Sequence, residues 1–421
     1  MCPATQVLSR HPAAPLLLSY TAFGCPVDCG PHWTRTQQDA AIQRGPHPSA
    51  TKPKAAAVCR TKALERARDG CCRIVKWNDI RKNPPTNLKI SPIAAIPHKS
   101  RLYRMILDLY FTIKTPGAPI SVNDASNASL APQHAMFELG NVIPRIIHTL
   151  ATTPLTTQFR FAKIDLKDGY WRMSVSPEDA WNFAYVLPGN KPTEPTELVI
   201  PDALQMGWSE SPPYFCAATE TARDLAAADL VTNTPQPRHP LEHILLGEPD
   251  HAQTPTTTNP TNLPPCLLEV YVDDFIAVAP TTDRLHLRHI SRTLLHSIEA
   301  IFPGPSITKS NLGPPVSLKK LKEEGQWATQ KEVLGWLIDG EKKTITLPPS
   351  KEEKVLNLLK AARRRERPIP IKDFYKLHGK LQSASIAIAC GKPLLGPLDR
   401  AIANAVKQDA ATIPIQQTGQ H

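Results

Sequence analysis

The sequence predicts an α+β fold in which a short antiparallel sheet is flanked by helices. Apolar, β-branched runs lie on both sides of Asp273 and Asp274 and end at Pro280, which is typical of two antiparallel strands joined by a turn. A further strand pattern ends near Asp165. Residues 287–301 carry apolar side chains at helical spacing, with Asp283 placed to cap the helix.

Composition and charge limit the classes of protein and partner. With 421 residues, 41% of them hydrophobic, the chain is long enough for two or three domains, and 44 prolines indicate many loops. The net charge is +11, and residues 51–104 alone carry 14 Lys and Arg against three Asp and Glu. Such a cluster favours a polyanion partner, although a solvated charged linker has the same composition.

The spacing of the cysteines and the length of the apolar runs indicate where in the cell the protein is expected. The nine cysteines complete no four-ligand zinc set and no disulfide framework. No run reaches the roughly 18 apolar residues of a membrane span. We therefore expect a cytoplasmic or nuclear protein with no membrane partner and no signal peptide.

Five segments are predicted along the chain. Residues 1–70 show no sustained periodicity, and we expect a low-order region there, mostly disordered or weakly helical. A basic segment covers 71–160, and the region with the central sheet covers 161–347. Eight prolines lie within 231–265, so an irregular, mobile insertion is expected. Helices are predicted over 348–400, where Ser350 and Glu353 form a capping box, and 401–421 is a tail.

Three aspartates are the candidate centre of the chemistry. Hydrophobic strands on both sides place Asp273 and Asp274 at the open end of a packed sheet. Two adjacent like charges are costly there unless a cation lies between them, and hard divalent cations take oxygen ligands. A pair of solvated turn aspartates is the alternative. If the strand that ends at Asp165 is a neighbour, three carboxylates converge.

Basic and aromatic residues form a second set of candidates. Lys99 and Arg104 lie around a turn between two apolar segments, which suits a phosphate clamp or, alternatively, an exposed basic hairpin. Tyr170, which follows Asp165 by five residues, is a candidate aromatic residue of the site. The alternative interpretation is an aromatic residue of the hydrophobic core.

Loop, turn and histidine positions complete the candidates. Met206 and Gly207 precede a predicted helix start, where glycine allows close backbone approach to a ligand. Leu334, Gly335 and Trp336 form a plausible hairpin turn. His286, His289 and His296 fall mainly off the apolar helical stripe, so a solvated face is expected rather than a metal site.

Several of these motifs, taken in order, resemble the boxes of reverse transcriptases. They are Asp165 with Tyr170, the Leu-Gln-Met-Gly-Trp-Ser-Glu-Ser-Pro run over 204–212, Tyr-Val-Asp-Asp over 271–274, and Leu-Gly-Trp over 334–336. The second box departs from the family because Gln205 replaces the usual proline. The chain looks most like the polymerase of an LTR-type or related retrotransposon over roughly residues 90–397.

This resemblance implies a fold. It is the right-hand polymerase fold, with fingers in 71–160, an antiparallel palm sheet in 161–347 and a helical thumb or connection in 348–400. The residues that follow are too few for an RNase H domain, so none is expected.

The resemblance also implies an activity, RNA-directed DNA polymerisation, in which dNTPs are added to a primer 3′ end by two-metal phosphoryl transfer. The implied catalytic and metal-binding residues are Asp165, Asp273 and Asp274, with two Mg²⁺ ions and Mn²⁺ as a substitute. The implied nucleotide-binding residues are Lys99, Arg104, Tyr170, Met206 and Gly207. The implied primer grip is Leu334, Gly335 and Trp336.

The implied partners are an RNA or DNA template with its primer, dNTPs, and other segments of a retroelement polyprotein. A lysine that assists pyrophosphate departure is also implied, and Lys309, Lys319 and Lys320 are the candidates.

Two other functions stay open. One is a catalytically inactive, nucleic-acid-binding remnant of a degenerate retroelement. The other is an RNA-templated RNA polymerase, which Tyr170 disfavours because a bulky ring at that position would exclude a 2′-hydroxyl.

Overall fold

The computed structural model describes residues 8–9, 11–98, 102–112, 120–189, 195–250, 254–258, 265–303, 311–363, 368–385, 388 and 391–413. Lys99 and Lys309 lie outside these ranges. The α-helices of five or more residues in the described part are α1 (Ala14–Phe23), α2 (Arg35–Arg44), α3 (Pro53–Arg68), α4 (Val142–Thr152), α5 (Ser211–Val231), α6 (Glu242–Leu246), α7 (Arg284–Ile301), α8 (Pro349–Arg363), α9 (Ile371–Ala384) and α10 (Gly396–Lys407).

The strands are short and pair only antiparallel. They are β1 (Cys72–Lys76), β2 (Ile93–Pro97), β3 (Tyr103–Leu107), β4 (Arg160–Asp165), β5 (Tyr185–Val186), β6 (Glu197–Pro201), β7 (Gln236–Pro237), β8 (Thr257–Thr258), β9 (Leu267–Tyr271), β10 (Asp274–Ala279), β11 (Gln330–Val333), β12 (Trp336–Asp339), β13 (Thr344–Thr346), β14 (Ile369–Pro370) and β15 (Thr412–Ile413). The predicted α+β class with small antiparallel sheets is confirmed.

The central sheet has the order β4–β10–β9, so β10 lies in the middle. Helices α5 and α7 pack together and bury apolar side chains against this sheet. On its other face, Phe161, Ile276 and Val278 form a second cluster with Trp336 and Ile338 of β12. The sheet is therefore covered on both faces, and only the ends of its strands open toward solvent.

The prediction that residues 1–70 have little order is wrong for the part that the structure describes. Three helices, α1, α2 and α3, occupy this segment, and α2 begins with a capping box between Thr34 and Gln37. Contacts with distant residues hold the segment in place. The Cys25 N–H donates to the Ser174 carbonyl (2.7 Å), and the Tyr214 hydroxyl donates to the Pro26 carbonyl (2.8 Å).

The N-terminal helices show no apolar stripe because their buried side chains are mostly small. The buried residues of α1, α2 and α3 are Ala14, Leu17, Tyr20, Gln38, Ala41, Ala55, Ala56, Cys59 and Ala63. Short helices of this kind are marginal alone and depend on tertiary packing. Their order therefore comes from the rest of the fold.

The prediction that the insertion over 231–265 is irregular is also wrong for its described residues. β7 pairs with β8, and α6 lies between them along the chain. Glu242 of α6 is 1% exposed and accepts hydrogen bonds from Arg288 and Arg292 of α7. Buried ion pairs that are fully hydrogen-bonded can order a segment that has few apolar residues.

The insertion also changes the environment of α7. Asp283 caps the helix as predicted, because its carboxylate accepts from the N–H groups of Leu285 and His286. The predicted solvated face is wrong, since His286 and His289 are both buried. The ring of His289 lies 3.1 Å from the hydroxyl of Thr258 in β8, so the insertion covers this side of the helix.

The C-terminal part contains a hairpin sheet and three helices. β11, β12 and β13 form one sheet, and β14 pairs with β15. Helices α8 and α9 correspond to the two predicted helices, and α10 continues into the predicted tail over 401–421. Their small core consists of Ile369, Phe374, Ala401, Ala405 and Ile413.

Among the described residues, no helix combines the length and the apolar composition that crossing a bilayer requires.

A glycine substitution tests whether the N-terminal segment is part of the fold. Gly24 has φ +83°, and a Cβ there would lie 2.3 Å from the Val175 carbonyl carbon. We expect Gly24→Ala to lower the free energy of unfolding by about 3 kcal/mol or more, measured by urea denaturation.

Gly45 is the matched control because its φ is +67° and the nearest atom to its Cβ would be 4.0 Å away. Gly45→Ala should cost only the backbone strain, about 1–3 kcal/mol, which Gly24→Ala bears as well in addition to its steric clash. Equal losses in the two variants would contradict a packed N-terminal segment.

Candidate active site

Strand register brings the three aspartates together. β4 ends at Asp165, β10 begins at Asp274, and the two residues are direct partners in the antiparallel pair. Asp274 also pairs with Tyr271 of β9, so Val272 and Asp273 form the two-residue turn of the β9–β10 hairpin. The strand that ends at Asp165 is thus a neighbour of the hairpin, which is the condition under which the sequence predicts that three carboxylates converge.

The turn is held in an unusual backbone conformation. Val272 has φ +57°, which is costly for a β-branched residue, on the order of 1–3 kcal/mol. The Asp273 carbonyl accepts a hydrogen bond from the Leu166 N–H (3.1 Å). Since Leu166 follows Asp165, this bond ties the strained turn directly to the end of β4.

The carboxylates are close enough to share a cation. One oxygen atom from each of Asp165, Asp273 and Asp274 lies within 4.8 Å of the other two. Asp165 is buried at 5% exposure, whereas Asp273 and Asp274 are partly exposed. The cluster is therefore accessible at Asp273 and Asp274, and its donor set of carboxylate oxygens fits Mg²⁺ or Mn²⁺.

Burial and the closeness of the carboxylates change the pKa values of the cluster. Burial raises the pKa of Asp165 to about 7, with Asp273 and Asp274 adding to the rise and Lys320 opposing it. Burial and the neighbouring Asp274 also raise the pKa of Asp273. The raised pKa values of Asp165 and Asp273 show that negative charge is costly at this buried position, and a divalent ion bound there would lower that cost.

Two lysines supply part of the missing positive charge. Lys320 donates a hydrogen bond to the Asp165 carboxylate. The ammonium nitrogen of Lys163 lies 3.2 Å from Asp274 and 3.6 Å from Glu324. Of the described candidates for the lysine that assists pyrophosphate departure, Lys320 contacts the cluster, whereas Lys319 is exposed and pairs with Glu323.

Tyr170 lies beside the carboxylates. It belongs to a 3₁₀ turn, Gly169–Arg172, that follows β4, and its ring meets the edge of Phe215 with centroids 5.0 Å apart. Burial raises the pKa of Tyr170 to about 12, with smaller contributions from Cys216 and Asp273. The turn begins at Asp168, whose left-handed backbone is held by an ion pair with Arg66 of α3 (2.5 Å).

Arg104, Met206 and Gly207 form a separate group. An Arg104 amino group lies 2.8 Å from the Met206 sulfur, so β3 touches the loop before α5. Gly207 has φ +111°, and a Cβ there would lie 2.8 Å from the Leu107 carbonyl. Asn123 fixes the loop because it donates to the Gly207 carbonyl (2.8 Å) and accepts from the Ser209 N–H (3.0 Å).

Helix α5 connects these two groups of residues. It begins at Ser211, directly after the loop, and one turn later it carries Phe215 against Tyr170. The loop and the ring beside the carboxylates are therefore both in contact with the first two turns of α5. Lys99, which the sequence placed with Arg104, lies outside the described residues.

The predicted primer-grip residues form a tight turn beside a cleft. Leu334 and Gly335 have φ of +48° and +86°, and they join β11 to β12 as a two-residue hairpin loop. A cavity of about 470 Å³ is lined by Leu139, Gly140, Ile143, Tyr271, Leu334, Trp336 and Ser383. Tyr271, which lines this cavity with Leu334 and Trp336, directly precedes the turn that carries Asp273.

Sequence reasoning missed several residues of the site. Lys163 lies two residues before Asp165 in the same strand, so strand alternation already placed both side chains on one face. Asn123, Glu324 and Arg66 carry no comparable signal, because their roles depend on segments that meet only in the folded chain.

A second cluster of potential metal ligands consists of His239, His296 and Glu299. The Leu241 N–H donates to Nδ1 of His239 (3.0 Å), which leaves the proton of the neutral ring on Nε2. That nitrogen lies 3.2 Å from the Glu299 carboxylate. The arrangement therefore suits a His–Glu contact better than a metal site.

Comparisons with known proteins give structural likenesses only. No protein-family model and no curated protein matches this chain. Among solved structures, a foamy viral protease-reverse transcriptase dRH in complex with double-stranded DNA matches with a TM-score of 0.46 and 18% identity, covering 98% of this chain and 56% of that one.

Two related structures match at the same level. The foamy viral protease-reverse transcriptase with an RNA/DNA hybrid gives a TM-score of 0.46 and 18% identity, covering 96% of this chain and 42% of that one. The same protein with double-stranded DNA gives 0.45 and 17%, covering 98% and 67%. The chain thus spans about half the length of the first two proteins.

The raised pKa of Asp165 predicts a pH effect on stability. A carboxyl whose pKa is about 7 in the fold, against an ordinary 3.8, binds its proton more tightly when folded. The resulting stability is present at low pH and is lost as pH rises through about 7. Without metal, the melting temperature should therefore fall between about pH 5 and pH 8.

Asp165→Asn should remove this dependence because the amide does not titrate. In a chelating buffer near pH 8, the free energy of unfolding of the variant should exceed that of the parent by on the order of 2 kcal/mol. Saturating MgCl₂ should reduce this difference in the free energy of unfolding. Thermal melts followed by circular dichroism measure both. Parallel pH profiles for the two proteins would contradict the crowded-carboxylate interpretation.

Proposed function

We propose that this chain is the RNA-directed DNA polymerase of a retrotransposon, adding dNTPs to a primer 3′ end. One observation carries the proposal. Asp165 and the Asp273–Asp274 pair lie far apart in sequence, each within a motif that resembles a reverse transcriptase box, and the β4–β10 register brings them within 4.8 Å. Solvated turn aspartates have no reason to meet in this way.

Asp165, Asp273 and Asp274 are the residues that would hold two Mg²⁺ ions, with Mn²⁺ as a substitute. When bound, such ions supply Lewis-acid activation of the primer 3′-hydroxyl and charge neutralisation at the leaving pyrophosphate. The protein contributes three carboxylates whose backbone positions are linked, because the Leu166 N–H at the end of β4 donates to the Asp273 carbonyl of the hairpin turn.

The described residues divide the other tasks between them. The guanidinium of Arg104 braces the triphosphate, as a planar donor suited to phosphate. Gly207 lets the nucleotide approach the backbone, and Met206 packs beside Arg104. Lys320 lies on Asp165 and is placed to give a proton or positive charge to the departing pyrophosphate. Lys99 retains its proposed part in the triphosphate clamp.

The cleft beside the carboxylates is the proposed path of the primer. Leu334 and Trp336 line it opposite Tyr271, and Gly335 allows the tight turn between them. The template or duplex is held through its backbone, with α8 and α9 as a thumb. Binding is then expected to weaken steeply with salt because it releases counterions.

The first test is removal of one carboxylate charge. Asp273→Asn should lower primer extension on a primed RNA template by on the order of a thousandfold, while the Kd for the duplex changes less than about twofold. Single-nucleotide extension with Mg²⁺ and a fluorescence-anisotropy titration measure the two quantities.

Asp283→Asn is the matched control because asparagine also caps helices and Asp283 lies outside the cluster. It should retain full extension. Normal extension by Asp273→Asn would refute the polymerase assignment. A parent protein that binds duplex but never extends it, with Mg²⁺ or Mn²⁺, would favour the catalytically inactive remnant instead.

The second test concerns the choice of sugar. Tyr170 lies against Phe215 beside the cluster, where a ring can contact the nucleotide ribose. Tyr170→Ala should raise the use of rNTPs relative to dNTPs by on the order of tenfold or more, measured as the ratio of kcat/KM values.

Tyr170→Phe keeps the ring and removes only the hydroxyl, so its discrimination should match that of the parent. If the parent already prefers rNTPs, the chain is an RNA polymerase. If both variants discriminate as the parent does, Tyr170 is a core aromatic without a role in sugar selection.

A further inference from the structure

The proline-rich insertion over 231–265 is joined to the catalytic centre through a segment of unusual geometry. We define the Lys320 segment as residues 317–327. It contains a single helical turn, Leu318–Lys320, that runs directly into a π-helical turn, Leu321–Gly325. π-Helical turns are rare and occur frequently at functional sites, where neighbouring contacts must stabilise them.

The insertion is anchored to α7 by buried charge. Glu242 accepts from Nε of Arg292 (2.5 Å), from Nη2 of Arg292 (2.8 Å) and from Nη1 of Arg288 (2.9 Å), and it also accepts from the His239 N–H (2.9 Å). Burial alone would raise the pKa of Glu242, but these donors hold it at about 2. A satisfied buried pair of this kind fixes position strongly, because breaking one partner is costly.

Helix α6 then holds one end of the Lys320 segment. The carbonyl of Leu245 accepts a hydrogen bond from the Trp327 N–H (2.8 Å). The indole N–H of Trp327 donates to the hydroxyl of Ser291 in α7 (2.9 Å). Leu245 and Leu321 are both 1% exposed and belong to the same core cluster.

Palm residues hold the segment from the other side. The Ser317 N–H donates to the Asp165 carbonyl (2.9 Å). Lys331 of β11, which is 9% exposed, donates to the carbonyls of Glu324 (2.7 Å) and Gln326 (2.5 Å). Between these two supports, Lys320 extends to the Asp165 carboxylate. The side chain is long, so its position depends on the backbone that carries it.

We propose that the insertion is a brace that sets the position of Lys320 against Asp165, which makes Glu242 a positioning residue. The kinetic part of this inference rests on the polymerase function proposed above. The mechanical part, from Glu242 through α6 and Trp327 to the Lys320 segment, does not depend on it.

Glu242→Gln tests the mechanical part by hydrogen exchange. The variant leaves Arg288 and Arg292 with a neutral acceptor, so α6 should loosen. Amides over 241–247 and 318–327 should exchange about tenfold faster or more, while those of β9 and β10 exchange as in the parent. Glu332→Gln is the matched control, because Glu332 is exposed and pairs with Lys351 outside both regions, and it should change the exchange of neither region.

Primer-extension kinetics test the positioning role. Glu242→Gln should lower kcat about tenfold while the KM for dNTP stays within about twofold of the parent value. In a Lys320→Ala background, the same substitution should cause little further loss, because the brace acts through Lys320.

The outcomes separate the two proposals. Unchanged exchange over 318–327, or a uniform increase in every protected amide, would overturn the brace. Additive losses of kcat in the double variant would overturn the path through Lys320. If the parent extends no primer, the polymerase function fails, and the exchange experiment still decides whether the insertion braces the segment.

Discussion

Repulsion among three carboxylates is the constraint on which the site depends. The β4–β10 pairing places Asp165 opposite Asp274, and the hairpin turn adds Asp273. Two lysines bring positive charge to the cluster, because Lys320 contacts Asp165 and Lys163 contacts Asp274. The pKa values of Asp165 and Asp273 are still raised, so these lysines do not fully neutralise the negative charge of the cluster. A carboxylate site that is short of cations at its open end is suited to bind a divalent ion.

The centre of this arrangement could be predicted from the sequence because its signals are local. Apolar strands that end in aspartates, a glycine before a helix and a two-residue hairpin turn each reflect a rule of backbone geometry. The contact between Asp165 and the hairpin followed only from the resemblance of ordered motifs, since spacing gives no strand neighbours. The structure agrees with that contact, and it groups Arg104 with Met206 and Gly207 as well.

The N-terminal segment and the insertion could not be predicted because composition describes a segment in isolation. Small residues such as Ala55, Ala56 and Ala63 bury well only against a surface that already exists. In the insertion, the side chains that hold the segment in place are charged. From the sequence alone Glu242 is expected at the surface, but in the fold it is paired with Arg288 and Arg292. His289 is expected on a solvated helix face for the same reason, but its polar ring is buried and contacts Thr258. Buried polar pairs therefore limit prediction from apolar periodicity.

Local strain and the contacts that compensate for it explain why several outlying segments pack around the central sheet. Val272, Asp168 and Leu334 all have positive φ, and each lies in a turn beside the cluster or its cleft. Such conformations persist only where the surroundings over-determine them. Arg66 from α3 pairs with Asp168, and the Leu166 N–H holds the Asp273 carbonyl. The N-terminal helices are thus part of the support of the site. A truncation that removed them would release a strained turn directly next to Tyr170.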